Sequence, residues 1–298
     1  MPALAEILKA ACPFLRLQEP LSRHTSLAIG GPADYYADVS TRDELIALRR
    51  VLQKNPLPVF FLGAGSNVLV SDRGIRGVVI HLQGQFREAA FDGPLVAVGA
   101  GTWMPTLVKQ CAERGLSGIE SLIGVPGTIG GGLVMNAGTR EGVLGDVVQS
   151  VEVLDAESRV KTFSLAEIQF DYRRSTLENQ WILGAVLRLK PDERSIIMSR
   201  VDALLQYRAR TQPLGTSNCG SVFKNPPGNF AARLIEQAGL KGRRCGGAQI
   251  SERHANFIVN VDKATAQDVQ ALVRLVKQTV FDKFTVTLEP EIKLAGEW

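Results

Sequence analysis

Leu4, Ile7, Leu8 and Ala11 recur at helical spacing and predict a helix over residues 3–12, stopped by Pro13. Thr41 followed by Glu44 is a capping-box pattern. Behind it Leu45, Ile46, Leu48, Val51 and Leu52 form an amphipathic stripe that ends before Pro56. The period then changes. Residues 58–62, 68–70, 78–82 and 95–98 are short apolar runs separated by glycines, which read as strands. Residues 102–114 read as a helix with Gly115 as its stop. Residues 148–155 and 159–163 read as a hairpin, and 181–189 as a further strand. A long polar helix over 191–210 is a natural domain boundary. Beyond it, 221–223 and 257–261 read as strands and 230–238 as a helix closed by Gly239. Val269, Leu272, Val273, Val276 and Val280 give 265–283 a strong apolar stripe, and 284–294 is a final extended segment broken by Pro290. Helices and strands alternate irregularly, with hairpins among them, which indicates an α+β chain rather than a doubly wound sheet.

A length of 298 residues suggests two domains at roughly 100–200 residues each. Hydrophobic residues at 45% and charged residues at 21% are an ordinary globular balance and exclude a disordered or fibrous chain. The net charge of +4 is dispersed, which speaks against a nucleic-acid partner and leaves room for an anionic small molecule. Cys12, Cys111, Cys219 and Cys245 form no CxxC pair, and His24, His81 and His254 are far apart, so neither a disulfide framework nor a metal site is expected. The first residues carry Glu6, Lys9 and Arg16 and do not read as a signal peptide. No run of 18 apolar residues is present, so no membrane insertion is expected and the expected compartment is the cytoplasm. Nothing in the chain calls for an obligate protein partner.

Glycine carries the first chemical signal. Gly63-Ala64-Gly65-Ser66-Asn67 follows an apolar run, and small residues there let successive backbone N–H groups converge on one anion. The Gly-Lys-Ser/Thr ending of a Walker loop is missing, as are the third glycine and following helix of a dinucleotide fingerprint. Taken alone, the segment could equally be a tight turn. A second cluster, Gly124, Gly127, Gly130, Gly131 and Gly132 with Asn136-Ala137-Gly138 behind it, changes that balance. Each glycine inside regular structure costs about 0.5–1 kcal/mol, so a run this dense needs a reason beyond turns. A backbone packed against a flat ring and a diphosphate supplies one, and two such loops in one chain suggest a long dinucleotide.

Polar segments follow. Asp171-Tyr172-Arg173-Arg174-Ser175 contains guanidinium groups able to clamp a carboxylate, or is a solvated turn. Gly220-Ser221-Val222-Phe223-Lys224-Asn225 offers a hydroxyl that donates a proton or simply hydrogen-bonds the backbone, and a lysine able to hold a phosphate. Cys219 beside it is either a competing proton donor or a small buried hydrophobe. Glu289-Pro290-Glu291 puts two carboxylates in the final extended segment; a buried one needs a partner or a function, an exposed one neither.

Together with residues 25–34, these segments appear in one order over nearly the whole chain, and in that order they resemble the UDP-N-acetylenolpyruvoylglucosamine reductases, flavoenzymes of bacterial peptidoglycan precursor synthesis. The resemblance implies a vanillyl-alcohol-oxidase-type FAD-binding fold of two subdomains, at 1–56 and 57–190, and a C-terminal α/β substrate-binding domain at 191–298. It implies non-covalent FAD held by Gly63, Ala64, Gly65, Ser66, Asn67, Gly124, Pro126, Gly127, Thr128, Gly130, Gly131, Asn136, Ala137 and Gly138. NADPH is the implied hydride donor and the enolpyruvyl methylene of a UDP-sugar the acceptor. Ser221 matches the proton donor, and Arg173 and Glu291 the other catalytic positions. Tyr172, Arg208, Lys224, Asn225 and His254 fall at or near substrate contacts. Residues 181–210 leave no room for the tyrosine-bearing lid of the longer family type, so the chain resembles the shorter one. Thr211 stands where a basic residue often precedes Gln-Pro, which leaves Arg208 or Arg210 to take the diphosphate. A different FAD oxidoreductase of the same fold would consume oxygen without NADPH, and a catalytically dead nucleotide-binding module would lack one of Ser221, Arg173 and Glu291.

Overall fold

The structure, a computed structural model, describes residues 4–298. Ala3, the first residue of the expected leading helix, lies outside them. The chain forms two compact units. The first takes the described residues up to Arg16, with 35–63 and 78–207; the second takes 17–34, 64–77 and 208–298.

In the first unit, α1 (Leu4–Ala11) and α2 (Arg42–Lys54) are the expected amphipathic helices, and α2 opens with the Thr41–Glu44 capping box. Such a box satisfies two N–H groups that a helix start otherwise leaves without partners. Val59–Phe61 pairs in parallel with residues 78–80. A five-stranded antiparallel sheet runs in the order Val160–Ser164, Val148–Leu154, Trp181–Arg188, Leu95–Gly99, Ala89–Asp92. Its apolar face shares a core with α3 (Met104–Glu113), where Val96, Val151, Leu187, Leu107 and Leu133 are sealed from solvent.

The glycine cluster is not one loop. Residues 129–135 form a short helix, α4 (Ile129–Met135), capped by Thr128 Oγ1, which accepts from Gly131 N–H at 3.4 Å. Close packing explains how glycines stand in it. A Cβ on Gly130 would lie 3.2 Å from that of Ala100, and one on Gly132 would lie 2.8 Å from Met104 Sδ. The helix therefore packs closely enough that a Cβ would push on Ala100 at one position and displace the Met104 side chain at the other.

In the second unit, Ser217–Ser221, Phe257–Asn260, Ala248–Ile250 and Arg244–Cys245 form an antiparallel sheet in that order. Val68–Val70 pairs in parallel with Lys293–Ala295. The polar helix α5 (Arg194–Thr211) ends in this unit. Of the next two, α6 (Ala231–Gln237) stops at Gly239, whose φ is +78°. In α7 (Ala266–Phe284) the expected stripe is buried, and burial of each such aliphatic side chain contributes about 1.5–3 kcal/mol.

Two expected extended segments differ. The strand anticipated at 221–223 runs instead over Ser217–Ser221, interrupted by a bulge in which Gly220 takes φ +75°. In the anticipated 284–294 segment, Phe284 still belongs to α7, Thr285 closes that helix in the left-handed conformation, and strand begins only with Lys293–Ala295.

Candidate active site

In the first unit the two glycine segments adjoin. A Cβ on Gly63 would lie 2.5 Å from Thr128 Oγ1. Gly127 C=O accepts from Met104 N–H, and Gly130 N–H donates to Ala100 C=O at 2.7 Å, which fixes the turn leading into α4. Gly124 is half-buried and Pro126 exposed. Gly131 is different from its neighbours. It is exposed, and a Cβ there would meet only Thr128 Oγ1, at 3.6 Å. The fold gives no reason for a glycine at this position.

Asn136, Ala137 and Gly138 do have tasks in the fold. Asn136 ends α4 at φ +42°, accepts from Gly145 N–H at 3.0 Å and donates to Asp171 C=O at 3.1 Å. Ala137 is buried, and a Cβ on Gly138 would fall 2.3 Å from Gly142 C=O. The Asn136 bond reaches a tight hairpin in which Phe170–Asp171 pairs with Arg174–Ser175. Tyr172 and Arg173 form its tip. Tyr172 is 52% exposed, and the Arg173 guanidinium lies 5.2 Å from its ring centre. Arg173 takes φ +59° and donates to Gly138 C=O at 3.0 Å. A non-glycine residue held there costs on the order of 1–2 kcal/mol, so the hairpin fixes this side chain at some expense.

In the second unit Gly65 requires its φ of +62°, since a Cβ would lie 2.1 Å from His24 C=O. Ala64 and Ser66 on either side are half-exposed. Asn67 donates through Nδ2 to Glu291 C=O at 3.3 Å and accepts from Lys293 N–H at 3.1 Å.

Ser221, Lys224 and Glu291 share one backbone ladder. Glu291 N–H donates to Val222 C=O at 2.7 Å, Lys224 N–H donates to Glu289 C=O at 2.9 Å, and Phe223 bridges to Pro290. Ser221 ends its strand half-exposed, and among the described residues its hydroxyl has no hydrogen-bond partner. Glu291 is half-buried. Lys224 Nζ pairs with Glu289 at 2.9 Å, an exposed contact of the kind that contributes about 0–1 kcal/mol. Asn225 Oδ1 accepts from Ala231 N–H at the start of α6, a structural task for a residue expected at the substrate. Cys219 belongs to the hydrophobic core, and burial pushes its thiol up to about 12.

His254 Nδ1 accepts from Asn256 N–H at 3.3 Å, which leaves the proton of the neutral ring on Nε2. Burial first, then Lys241 and Arg208, hold its pKa below the usual histidine value, against opposing effects of a backbone hydrogen bond and Glu236. Arg208 is half-buried and Arg210 exposed. Burial alone lowers the Arg208 pKa, and among the described residues no carboxylate faces it. Asn256, buried behind Ser221, drew no notice in the sequence, because a single asparagine between apolar residues carries no local pattern.

A family model described as an FAD binding domain matches residues 33–164. Another, for the C-terminal domain of UDP-N-acetylenolpyruvoylglucosamine reductase, matches residues 212–295. A relative named UDP-N-acetylenolpyruvoylglucosamine reductase 2, from Symbiobacterium thermophilum, is 48% identical over 95% of this chain and 92% of its own length. The chain belongs to the UDP-N-acetylenolpyruvoylglucosamine reductase family. A reductase of that name from Moorella thermoacetica is 45% identical over 94% of this chain and 92% of its own. The crystal structure of UDP-N-acetylenolpyruvylglucosamine reductase from Thermus caldophilus superposes with a TM-score of 0.83 at 39% identity, covering 95% of this chain and all of that one. A berberine bridge enzyme variant, at 13% identity and TM-score 0.50 over 74% of this chain and 52% of its own, shares the fold alone. The expected class, an α+β FAD-binding fold of the vanillyl-alcohol-oxidase type followed by a further C-terminal domain, is the one found.

The residues of this reductase-family chain fit FAD. Gly131 is exposed, with open space where a Cβ would stand, so a flat ring or a diphosphate can approach its backbone closely. Gly131→Val is therefore expected to fold with stability within about 1 kcal/mol of the parent, valine being no poorer in a helix than glycine. Its flavin content per polypeptide is expected to fall sharply. Unchanged flavin absorbance in the purified variant would remove Gly131 from the cofactor surface.

Proposed function

We propose that the chain reduces the enolpyruvyl group of UDP-N-acetylglucosamine enolpyruvate to give UDP-N-acetylmuramate, a step of peptidoglycan precursor synthesis, with non-covalent FAD and with NADPH as hydride donor. The observation that carries this reading is 48% identity over 95% of the chain to a reductase of that name. Residues 1–56 and 57–190 serve FAD, and 191–298 the UDP-sugar. No helix among the described residues is long and apolar enough to cross a membrane. The cytoplasm is the proposed compartment, because NADPH and nucleotide sugars are its reagents.

Bound FAD supplies the two-electron chemistry between NADPH and the substrate. The chain's own residues manage charge and proton. Hydride arriving at the enolpyruvyl methylene leaves negative charge on the neighbouring carbon, delocalised into the carboxylate. Arg173, fixed at its hairpin tip, stabilises that charge, and Glu291 donates a hydrogen bond to it when protonated. Ser221 gives its hydroxyl proton to the carbon and is reprotonated from solvent. Its hydroxyl, without a partner among the described residues, is free to turn toward substrate. Arg208, rather than the exposed Arg210, holds the diphosphate, since an anion offsets the cost of a half-buried guanidinium that faces no carboxylate. His254 and Lys224 complete the UDP-sugar contacts, with Tyr172 and Asn225.

The purified protein is expected to be yellow and to bleach on anaerobic addition of NADPH. Acid should release the flavin into the supernatant. Flavin retained on the precipitated polypeptide would contradict non-covalent binding, and oxygen consumption without any need for NADPH would point to an oxidase of the same fold.

A further inference from the structure

Segment 221–224, which carries Ser221 and Lys224, is held on both edges. One edge is the Glu289–Glu291 backbone already described. The other begins as ordinary sheet: Ser221 pairs with Phe257, and Val222 N–H donates to Asn256 C=O at 2.8 Å. There the neighbouring backbone turns away, because Phe257 N–H closes on His254 C=O at 3.0 Å. The ladder nevertheless continues for one more residue through a side chain. Phe223 N–H donates to Asn256 Oδ1 at 3.0 Å, and Asn256 Nδ2 donates to Phe223 C=O at 2.8 Å. One carboxamide thus does the work of the missing strand residue, with a donor and an acceptor in the places a peptide group would put them. Asn256 is 4% exposed, so water does not compete for either bond. Its own N–H orients the His254 ring.

We propose that Asn256 is a positioning residue for the reduction: its paired bonds to Phe223 fix segment 221–224 and so set where the Ser221 hydroxyl and the Lys224 ammonium meet the substrate. This rests on the function proposed above. Placement errors of about 1 Å are enough to cost on the order of 10²-fold in rate, and a half-satisfied buried network is worse than none.

Asn256→Asp separates the two bonds. Its carboxylate still accepts from Phe223 N–H but turns a second oxygen, rather than a donor, toward Phe223 C=O. Protonation of that buried carboxylate restores the donor. In the FAD-loaded variant, reduction by NADPH is expected to stay within about twofold of the parent, while reoxidation by the enolpyruvyl UDP-sugar slows by roughly 10–10²-fold at alkaline pH and recovers as pH falls. Asn256→Ala should show the same slowing with no recovery at low pH. The proposal is overturned if both variants reoxidise at the parental rate and only melt earlier, if the two half-reactions slow together, or if the pH profiles of Asp and Ala coincide. A parent enzyme that the enolpyruvyl substrate does not reoxidise at all would instead defeat the function on which the proposal rests.

Discussion

Ser221→Ala is expected to leave reduction of FAD by NADPH almost intact, because that step needs no substrate proton. Transfer to the enolpyruvyl substrate is expected to fall by more than the roughly 10²–10⁴-fold of ordinary general-acid catalysis. The proton goes to a carbanion, and the neighbouring thiol is a poor substitute for the hydroxyl. Cys219 is the nearest in sequence, but it is 2% exposed, and burial pushes its thiol up to about 12. Cys219→Ala should therefore be mild in the same assay. Stopped-flow traces in which Ser221→Ala slows both half-reactions equally would remove the proton-donor role. A large loss in Cys219→Ala would move that role to the thiol.

Arg173→Lys is expected to cost about 10²–10³-fold, mostly in kcat rather than KM, as removal of a fixed donor from a developing charge does. Lysine keeps the charge but loses the planar fork, one arm of which already spans 3.0 Å to Gly138 C=O and sets the direction of the rest. The left-handed backbone at this position is as tolerable for lysine as for arginine, so the substitution tests the head group and not the hairpin. For Glu291 the informative comparison is between variants. Its backbone is fixed by Val222 and Asn67, so the side chain can change without moving the ladder. Glu291→Gln retains a donor and should lose less than Glu291→Ala. Equal losses would mean that Glu291 works through its charge or by transferring a proton.

Much of this was legible in the sequence where local rules decide. The Thr41–Glu44 capping box, the stripe of α7 and the glycine stops at Gly115 and Gly239 each follow from a few neighbouring residues. The glycine cluster was legible as unusual but not as a helix. Gly130 and Gly132 answer to Ala100 and Met104, which are distant in sequence, whereas Gly131 faces open space. The same limit applies to the polar residues. Asn136 and Asn225 were expected at cofactor and substrate, yet their side chains also tie down a hairpin and a helix start. Asn256 was invisible because its role depends on where a neighbouring strand turns away. The position of Ser221 at a strand end rather than a strand start came from one left-handed glycine, Gly220, which shifts the register by a bulge.

The reductase activity itself is tested most directly by a single anaerobic turnover. Enzyme bleached with one equivalent of NADPH is mixed with UDP-N-acetylglucosamine enolpyruvate in deuterated water. The oxidised flavin spectrum should return in step with formation of the lactyl ether, with one solvent deuterium on the carbon that bears the carboxylate. A flavin that stays bleached until air is admitted, with the enolpyruvyl ether recovered unchanged, would contradict it.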